Sequence, residues 1–270
     1  LKPGTRVVSM PVALRADGYD AIGYSNTYPG GFAERMVLTE ALLLEVPNGL
    51  SDVQAAMTEP FAVGEHAVAQ SAAGPDAVCL VIGCGPVGLA VIAALKARGF
   101  GPVLAADFSP VRRASAEAIG ADIVIDPAVS SPYGRWSEFA VPANGGERGM
   151  VEMMGGVPRN AVIFECVGVP GMLQKIIEGA PTNAQIIVVG VCMELDQIEP
   201  AVAITKHLDL RFAYAYTPIE FAQCLHYLAE GAVNPANFIT GNVDLAGTPA
   251  AFEALAKPQS HIKIIVEPGR

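Results

Sequence analysis

The chain has 270 residues, of which 51% are apolar, and it carries a formal net charge of −10 at pH 7. This length favours two domains rather than one. Mean hydropathy is +0.39, yet no stretch is long and apolar enough to predict a transmembrane helix. The acidic balance argues against nucleic acid and anionic membranes as partners. Five scattered cysteines without a C-x-x-C pair predict no disulfide framework, so we expect a reducing compartment, the cytoplasm.

The first fifty residues mix short strand-like runs with Gly, Pro, Asn and Asp, as is typical of an antiparallel or barrel-like unit. We expect a loop over 21–31 and a strand from Phe32 to Leu38. Helical periodicity begins near Ser51. The opening residues Lys2-Pro3-Gly4 look like a turn that enters a strand in mid-domain, so we expect further residues upstream.

From Val78 the pattern alternates between strands and helices. Apolar runs predict strands over 78–82, 103–107, 123–125, 161–166, 185–189 and 208–214. Helices are predicted over 86–98, 109–119 and 171–180, and residues 127–149 are expected to be irregular. This alternation predicts a Rossmann-type, doubly wound parallel sheet in an α/β fold. Beyond it, capping signals predict helices from Thr217 and Thr248, and a last strand is expected over 261–266.

The turn after the first of these strands carries the spacing G-x-G-x-x-G. Its glycines are Gly83, Gly85 and Gly88, with Pro86 and Val87 opening the helix. In a dinucleotide site the first glycine permits the turn, the second lets the pyrophosphate approach, and the third lets helix and strand pack closely. The helix N-terminus offers N–H groups to the phosphates. The alternative is a glycine-rich turn that binds no ligand.

Asp107 ends the next strand, nineteen residues after Gly88. A carboxylate there accepts hydrogen bonds from the adenosine ribose and repels a 2′-phosphate, so NAD is favoured over NADP. Arg112 and Arg113 leave a second interpretation open, because either could reach an adenosine phosphate. They could equally be solvated charges in the first turn of a helix.

The ordered series of motifs resembles the zinc-type medium-chain dehydrogenase/reductase family, which includes alcohol, polyol and threonine dehydrogenases. The matching segments are PGTRVV (3–8), GGFAE (30–34), EPFAV (59–63), GCGPVG (83–88), FECVG (164–168) and IVVG (187–190). The resemblance implies a discontinuous, β-rich GroES-like catalytic domain over 1–62 and 217–270, incomplete at its N-terminus. A Rossmann dinucleotide-binding domain would span 63–216. The backbones of Val167, Gly168 and Gly190 would face the nicotinamide, and the edge strand would pair in a homodimer or homotetramer.

The same resemblance implies that Glu59 serves a catalytic zinc, as a ligand or close neighbour. A divalent ion would polarise the substrate oxygen and lower the pKa of an alcohol. The alternative is a carboxylate that stabilises the start of a helix. The other zinc ligands of such enzymes would lie upstream of Lys2, and a structural zinc is not expected because residues 9–29 contain no cysteine.

We therefore expect an NAD-dependent oxidoreductase that transfers hydride between an alcohol or polyol, or the matching carbonyl compound, and nicotinamide. Two alternatives remain open at this stage. One is a zinc-free, NADPH-dependent quinone or enone reductase of the same superfamily, and the other is a dinucleotide-binding module without catalysis. The sequence assigns no catalytic residue and does not identify the substrate.

Overall fold

The computed structural model describes residues 1–47, 49–257 and 261–269. The chain divides into two compact units, one formed by residues 1–62 with 217–270 and the other by residues 63–216. Within the described ranges, every helix is too short or too polar to cross a bilayer.

Short strands and helices alternate along much of the chain. The strands, in chain order, are β1 (Val7–Ser9), β2 (Val12–Arg15), β3 (Gly18–Ala21), β4 (Leu43–Glu45), β5 (Val78–Ile82), β6 (Val103–Ala106), β7 (Ile123–Ile125), β8 (Ala161–Glu165), β9 (Gln185–Val188), β10 (Asp209–Phe212), β11 (Ile239–Val243) and β12 (Lys263–Val266). The helices are α1 (Asp52–Ala55), α2 (Thr58–Ala69), α3 (Pro86–Ala97), α4 (Pro110–Ile119), α5 (Gly145–Met153), α6 (Met172–Gly179), α7 (Pro200–Thr205), α8 (Pro218–Ala229) and α9 (Thr248–Leu255).

A six-stranded parallel sheet organises the unit over 63–216. Its strand order is β10-β9-β8-β5-β6-β7, so the order reverses between β5 and β8, as in a doubly wound Rossmann sheet. All residues of β5, β6 and β8 are buried, because helices cover both faces of such a sheet. The α/β fold predicted from the sequence is therefore confirmed.

Local signals explain the helices that frame this sheet. Ser109 caps α4 by accepting a hydrogen bond from the Arg112 N–H, Pro110 opens the helix, and Gly120 ends it in the left-handed conformation. Leu80, Leu104 and Ile163 lie on one face of the sheet and pack into a cluster with residues of α6.

The other unit is built from short paired strands and helices. β1 pairs antiparallel with β4, β2 with β3, and β11 runs parallel to β12. A reciprocal capping box between Thr217 and Glu220 starts α8, as the sequence predicts. Phe61 and Phe238 meet edge to face, with ring centroids 4.6 Å apart.

Several sequence-based predictions of secondary structure are wrong. The predicted strand over Phe32–Leu38 is irregular chain, and Phe32 instead meets the Phe252 ring edge-on at 5.7 Å. The segment predicted as irregular up to residue 149 contains the start of α5. Helix α7 and strand β11 were not predicted.

Candidate functional site

The candidate site lies at the carboxyl edge of the parallel sheet, where strands β5 and β8 are neighbours. Ile82 is paired with Ala106 on one side and with Glu165 on the other, and Glu165 is paired with Val188. The turns that follow these strands therefore meet at one edge. Because strand order reverses between β5 and β8, this is where ligands bind in doubly wound sheets.

The fold itself requires two of the three glycines in the turn from β5 to α3. Gly83 has φ +89°, and a Cβ there would lie 2.7 Å from Val167 Cγ2. A Cβ at Gly88 would overlap the carbonyl oxygen of Gly83 and lie 2.9 Å from its carbonyl carbon. These two positions are explained by turn geometry and by close packing of helix on strand.

Neither backbone conformation nor packing requires a glycine at Gly85. Its backbone is extended, with φ −70° and ψ −175°, and a Cβ there would meet only the Arg112 guanidinium, at 3.9 Å. Gly85 is also the N-cap of α3 and supplies no side-chain capping bond. The open space at Gly85, beside the first N–H groups of α3, is a cradle suited to a phosphate.

Asp107 joins the end of β6 to this loop. Its Oδ2 accepts a hydrogen bond from the Cys84 N–H at 2.8 Å, and its Oδ1 accepts one from the Ser109 N–H at 2.7 Å. Burial, and then the Asp107 carboxylate, raise the pKa of the Cys84 thiol. The thiol stays neutral, so Asp107 supplies the negative charge beside the glycine loop.

The structure distinguishes Arg112 from Arg113 by their contacts, which the sequence alone does not. Arg113 donates to the backbone oxygens of Asp107 and Phe108 at 2.8 Å and pairs with Asp126 at 2.9 Å. Arg112 faces the loop, with Nη1 3.8 Å from the nearest Asp107 carboxylate oxygen. Its buried Nε has no hydrogen-bond partner among the described residues. Arg112 is therefore the guanidinium available to an anionic ligand.

The turns after β8 and β9 bring Val167, Gly168 and Gly190 together. A Cβ at Gly168 would lie 2.7 Å from the Val191 nitrogen, and one at Gly190 would lie 2.8 Å from Gly168 Cα. Glu165, the last residue of β8, is not among the predicted site residues, although its carboxylate accepts hydrogen bonds in this turn. A charged residue that directly follows four apolar strand residues was the signal available for it.

Glu59 lies in the first turn of α2. It is partly buried, and its carboxylate makes no hydrogen bond or ion pair with any other residue that the structure describes. Across those same residues, no group of three His, Cys, Asp or Glu side chains is arranged to hold a metal ion. The described residues therefore do not by themselves fit a zinc site, which needs at least three protein ligands.

Comparison with known proteins extends these observations. The family model described as zinc-binding dehydrogenase matches residues 86–230. The chain is 33% identical over 240 residues to (R,R)-butanediol dehydrogenase of Bacillus subtilis, covering 88% of this chain. It is 28% identical over 246 residues to sorbitol dehydrogenase of the same organism, covering 89% of this chain. The chain spans 64% of the length of each of these two curated relatives.

The chain also resembles a solved structure in its three-dimensional fold. The crystal structure of 2R,3R-butanediol dehydrogenase from Bacillus subtilis superposes with a TM-score of 0.80 at 30% identity. The match covers 99% of this chain and 75% of that one.

Proposed function

Because the chain belongs to the zinc-binding dehydrogenase family, we propose that it binds a nicotinamide dinucleotide at the loop between β5 and α3. We propose further that it serves hydride transfer between an alcohol or polyol, or the matching ketone or aldehyde, and that coenzyme. The observation that carries the proposal is the cradle at Gly85, where the fold leaves open the space that a phosphate would need. The relatives named for butanediol and sorbitol support an alcohol with several hydroxyl groups as the substrate class.

Each residue at the sheet edge has a proposed task. The N–H groups after Pro86, beginning with that of Val87, would donate to the pyrophosphate, with Gly88 holding the helix against the strand. The Arg112 guanidinium, whose Nε lacks a partner among the described residues, would add charge on the same side. The backbones of Val167, Gly168 and Gly190 would line the nicotinamide end. The coenzyme, when bound, supplies the hydride acceptor or donor.

We propose NAD rather than NADP on the position of Asp107. Its carboxylate is fixed by two backbone N–H groups beside the glycine loop, and each oxygen keeps a lone pair with which to accept a ribose hydroxyl. A 2′-phosphate placed there would meet a like charge.

Glu59 is our candidate for a residue at a metal site. A carboxylate is a suitable zinc ligand, and that of Glu59 has no competing partner in the described part of the chain. The further ligands are not supplied by the described residues, so we assign no step of the reaction to a metal. In a preparation in which the parent chain holds zinc, Glu59→Ala should lower the zinc content, and equal, non-zero zinc in both proteins contradicts this role.

Family membership also leads us to propose a homodimer or homotetramer in the cytoplasm. In the isolated chain β10 is an edge strand, and the Phe212 side chain at its end is 69% exposed. An edge strand leaves backbone N–H and C=O groups without partners on one side, which suits it to pairing with another chain.

Titration of the chain with ADP-ribose, NADH and NADPH tests the proposal directly. We expect ADP-ribose and NADH to bind and NADPH to bind more weakly. Reduction of NAD is then followed with a panel of diols and polyols in the presence of zinc. Failure to bind ADP-ribose would overturn the dinucleotide site. Binding without turnover of any alcohol would instead favour a module without catalysis.

A further inference from the structure

Four backbone N–H groups from two different turns donate hydrogen bonds to Glu165. Its Oε1 accepts hydrogen bonds from the N–H groups of Val167 at 2.7 Å and Gly168 at 2.8 Å. Its main-chain oxygen accepts from the N–H groups of Val189 and Gly190, both at 2.9 Å. One residue therefore fixes the turn after β8 with its side chain and the turn after β9 with its backbone.

The second carboxylate oxygen of Glu165 lies against the other turn. A Cβ added at Gly190 would stand 2.6 Å from Glu165 Oε2, so only glycine leaves room for the carboxylate there. The two turns touch each other around this group. The positions of Val167, Gly168 and Gly190 thus depend on a single residue.

The charge on Glu165 is unusual for this location. The residue is 3% exposed, and no Lys, Arg or His among the described residues forms an ion pair with it. Burial first, and Glu165 second, raise the pKa of Tyr133 to about 12. Tyr133 therefore stays neutral and adds no second negative charge beside the carboxylate. Burying a charge without a counter-ion is costly, and a neutral acceptor could hold both N–H groups at lower cost.

We propose that Glu165 is a positioning residue that sets the two turns beneath the nicotinamide, and that its charge favours the oxidised over the reduced coenzyme. This inference rests on the proposed function. The oxidised ring carries a positive charge that the reduced ring lacks. A buried carboxylate near that ring would bind the oxidised form more tightly, and we expect its charge to change the relative affinity of the two forms by at least about threefold.

The test compares three variants of the 270-residue chain. Glu165→Gln keeps the shape and removes the charge, whereas Glu165→Asp keeps the charge and shortens the reach to the N–H groups. Glu117→Gln, on the exposed side of α4, makes the same change in net charge away from the site. For each protein the dissociation constants of ADP-ribose, NAD⁺ and NADH are measured by calorimetry, and folding is checked by thermal melting.

We expect every folded variant to bind ADP-ribose within about twofold of the parent chain, since that ligand lacks nicotinamide. Glu165→Gln should weaken NAD⁺ on the order of tenfold and NADH about threefold, shifting their ratio. Glu165→Asp should weaken both forms alike and keep the ratio, and Glu117→Gln should change neither. The ratio is the decisive readout, because a merely structural role would leave it unchanged.

The remaining outcomes separate this inference from the proposed function. A parent chain that does not bind ADP-ribose overturns the dinucleotide site and this inference with it. A parent chain that binds all three ligands, with Glu165→Gln unchanged or weakened equally for all of them, overturns the inference alone. If Glu165→Gln does not fold, Glu165→Asp decides: ADP-ribose affinity lost together with that of NAD⁺ and NADH would refute the positioning role.

Discussion

The glycine loop allows the requirements of the fold to be separated from those of the ligand by two single substitutions. Gly88→Ala places a methyl group against backbone atoms of Gly83, whereas Gly85→Ala places one in open space beside the Arg112 side chain. We expect Gly88→Ala to destabilise the protein, and Gly85→Ala to leave it folded but unable to bind the coenzyme.

The magnitudes follow from what each methyl group would contact. At Gly88 the obstacle is a carbonyl group, with its carbon 2.9 Å from the new Cβ. Backbone cannot rotate away, so strand and helix must shift, which costs about 2–4 kcal/mol of unfolding free energy. At Gly85 the nearest atom is the end of a flexible side chain at 3.9 Å. The change in stability there should stay below about 1 kcal/mol, because the new contact is an ordinary one and the unfolded chain loses entropy.

Binding should show the reverse pattern. A methyl group at Gly85 occupies the space that the pyrophosphate would enter, and we expect ADP-ribose affinity to fall on the order of a hundredfold or more. Urea unfolding and calorimetric titration with ADP-ribose measure the two effects on the same samples. The reasoning is refuted if Gly85→Ala unfolds as readily as Gly88→Ala, or if it binds ADP-ribose as the parent chain does.

Three further predictions concern other parts of the nucleotide-binding unit. Asp107→Asn removes the charge and keeps an acceptor, so NADPH should gain affinity relative to NADH on the order of tenfold in parallel titrations. Lys206→Met removes the ammonium group that donates to three carbonyls at the end of α6. Lys206→Met should lower the unfolding free energy, measured with urea, by about 1–2 kcal/mol. Lys175→Met, on the exposed side of α6, should lower it by less than about 0.5 kcal/mol. Burial raises the pKa of Cys79 from 9.0 to about 12, so the unfolded thiol ionises first and stability falls as pH rises from 9 to 12. In Cys79→Ala the unfolding free energy should fall less steeply over this pH range, by about 1.4 kcal/mol per pH unit. An unchanged slope would contradict the raised pKa of Cys79 as its cause.

The parallel sheet could be predicted closely because its signals are local. Strands β5 and β7 have the predicted bounds, since continuous apolar runs indicate strands buried on both faces. Helix α4 also matches, because Ser109, Pro110 and Gly120 mark its ends without reference to the rest of the chain. In this part of the chain local preference and tertiary packing agree.

The errors arose where structure depends on distant partners or on weaker signals. Residues 32–38 were predicted to form a strand from their composition, but a strand also needs a neighbour to accept its hydrogen bonds, and the sequence does not specify one. Strand β11 is only partly buried and has no continuous apolar run. Helix α5 begins with two glycines, yet Asn144 accepts from the Glu147 N–H and Glu147 accepts from the Ala143 N–H. That capping pattern could have been found in the sequence.

In the candidate site, too, local contacts can be predicted from the sequence, whereas contacts between neighbouring turns cannot. The bonds from Glu165 to the N–H groups two and three positions later are local, so a carboxylate that ends an apolar strand can indicate them in advance. The approach of Gly190 to the same carboxylate crosses from one strand to the next and depends on strand order. Sequence analysis therefore finds the residues that hold a turn together more readily than those that bring two turns into contact. In this protein the first kind of contact holds Val167 and Gly168 in place, and the second kind brings Gly190 against them.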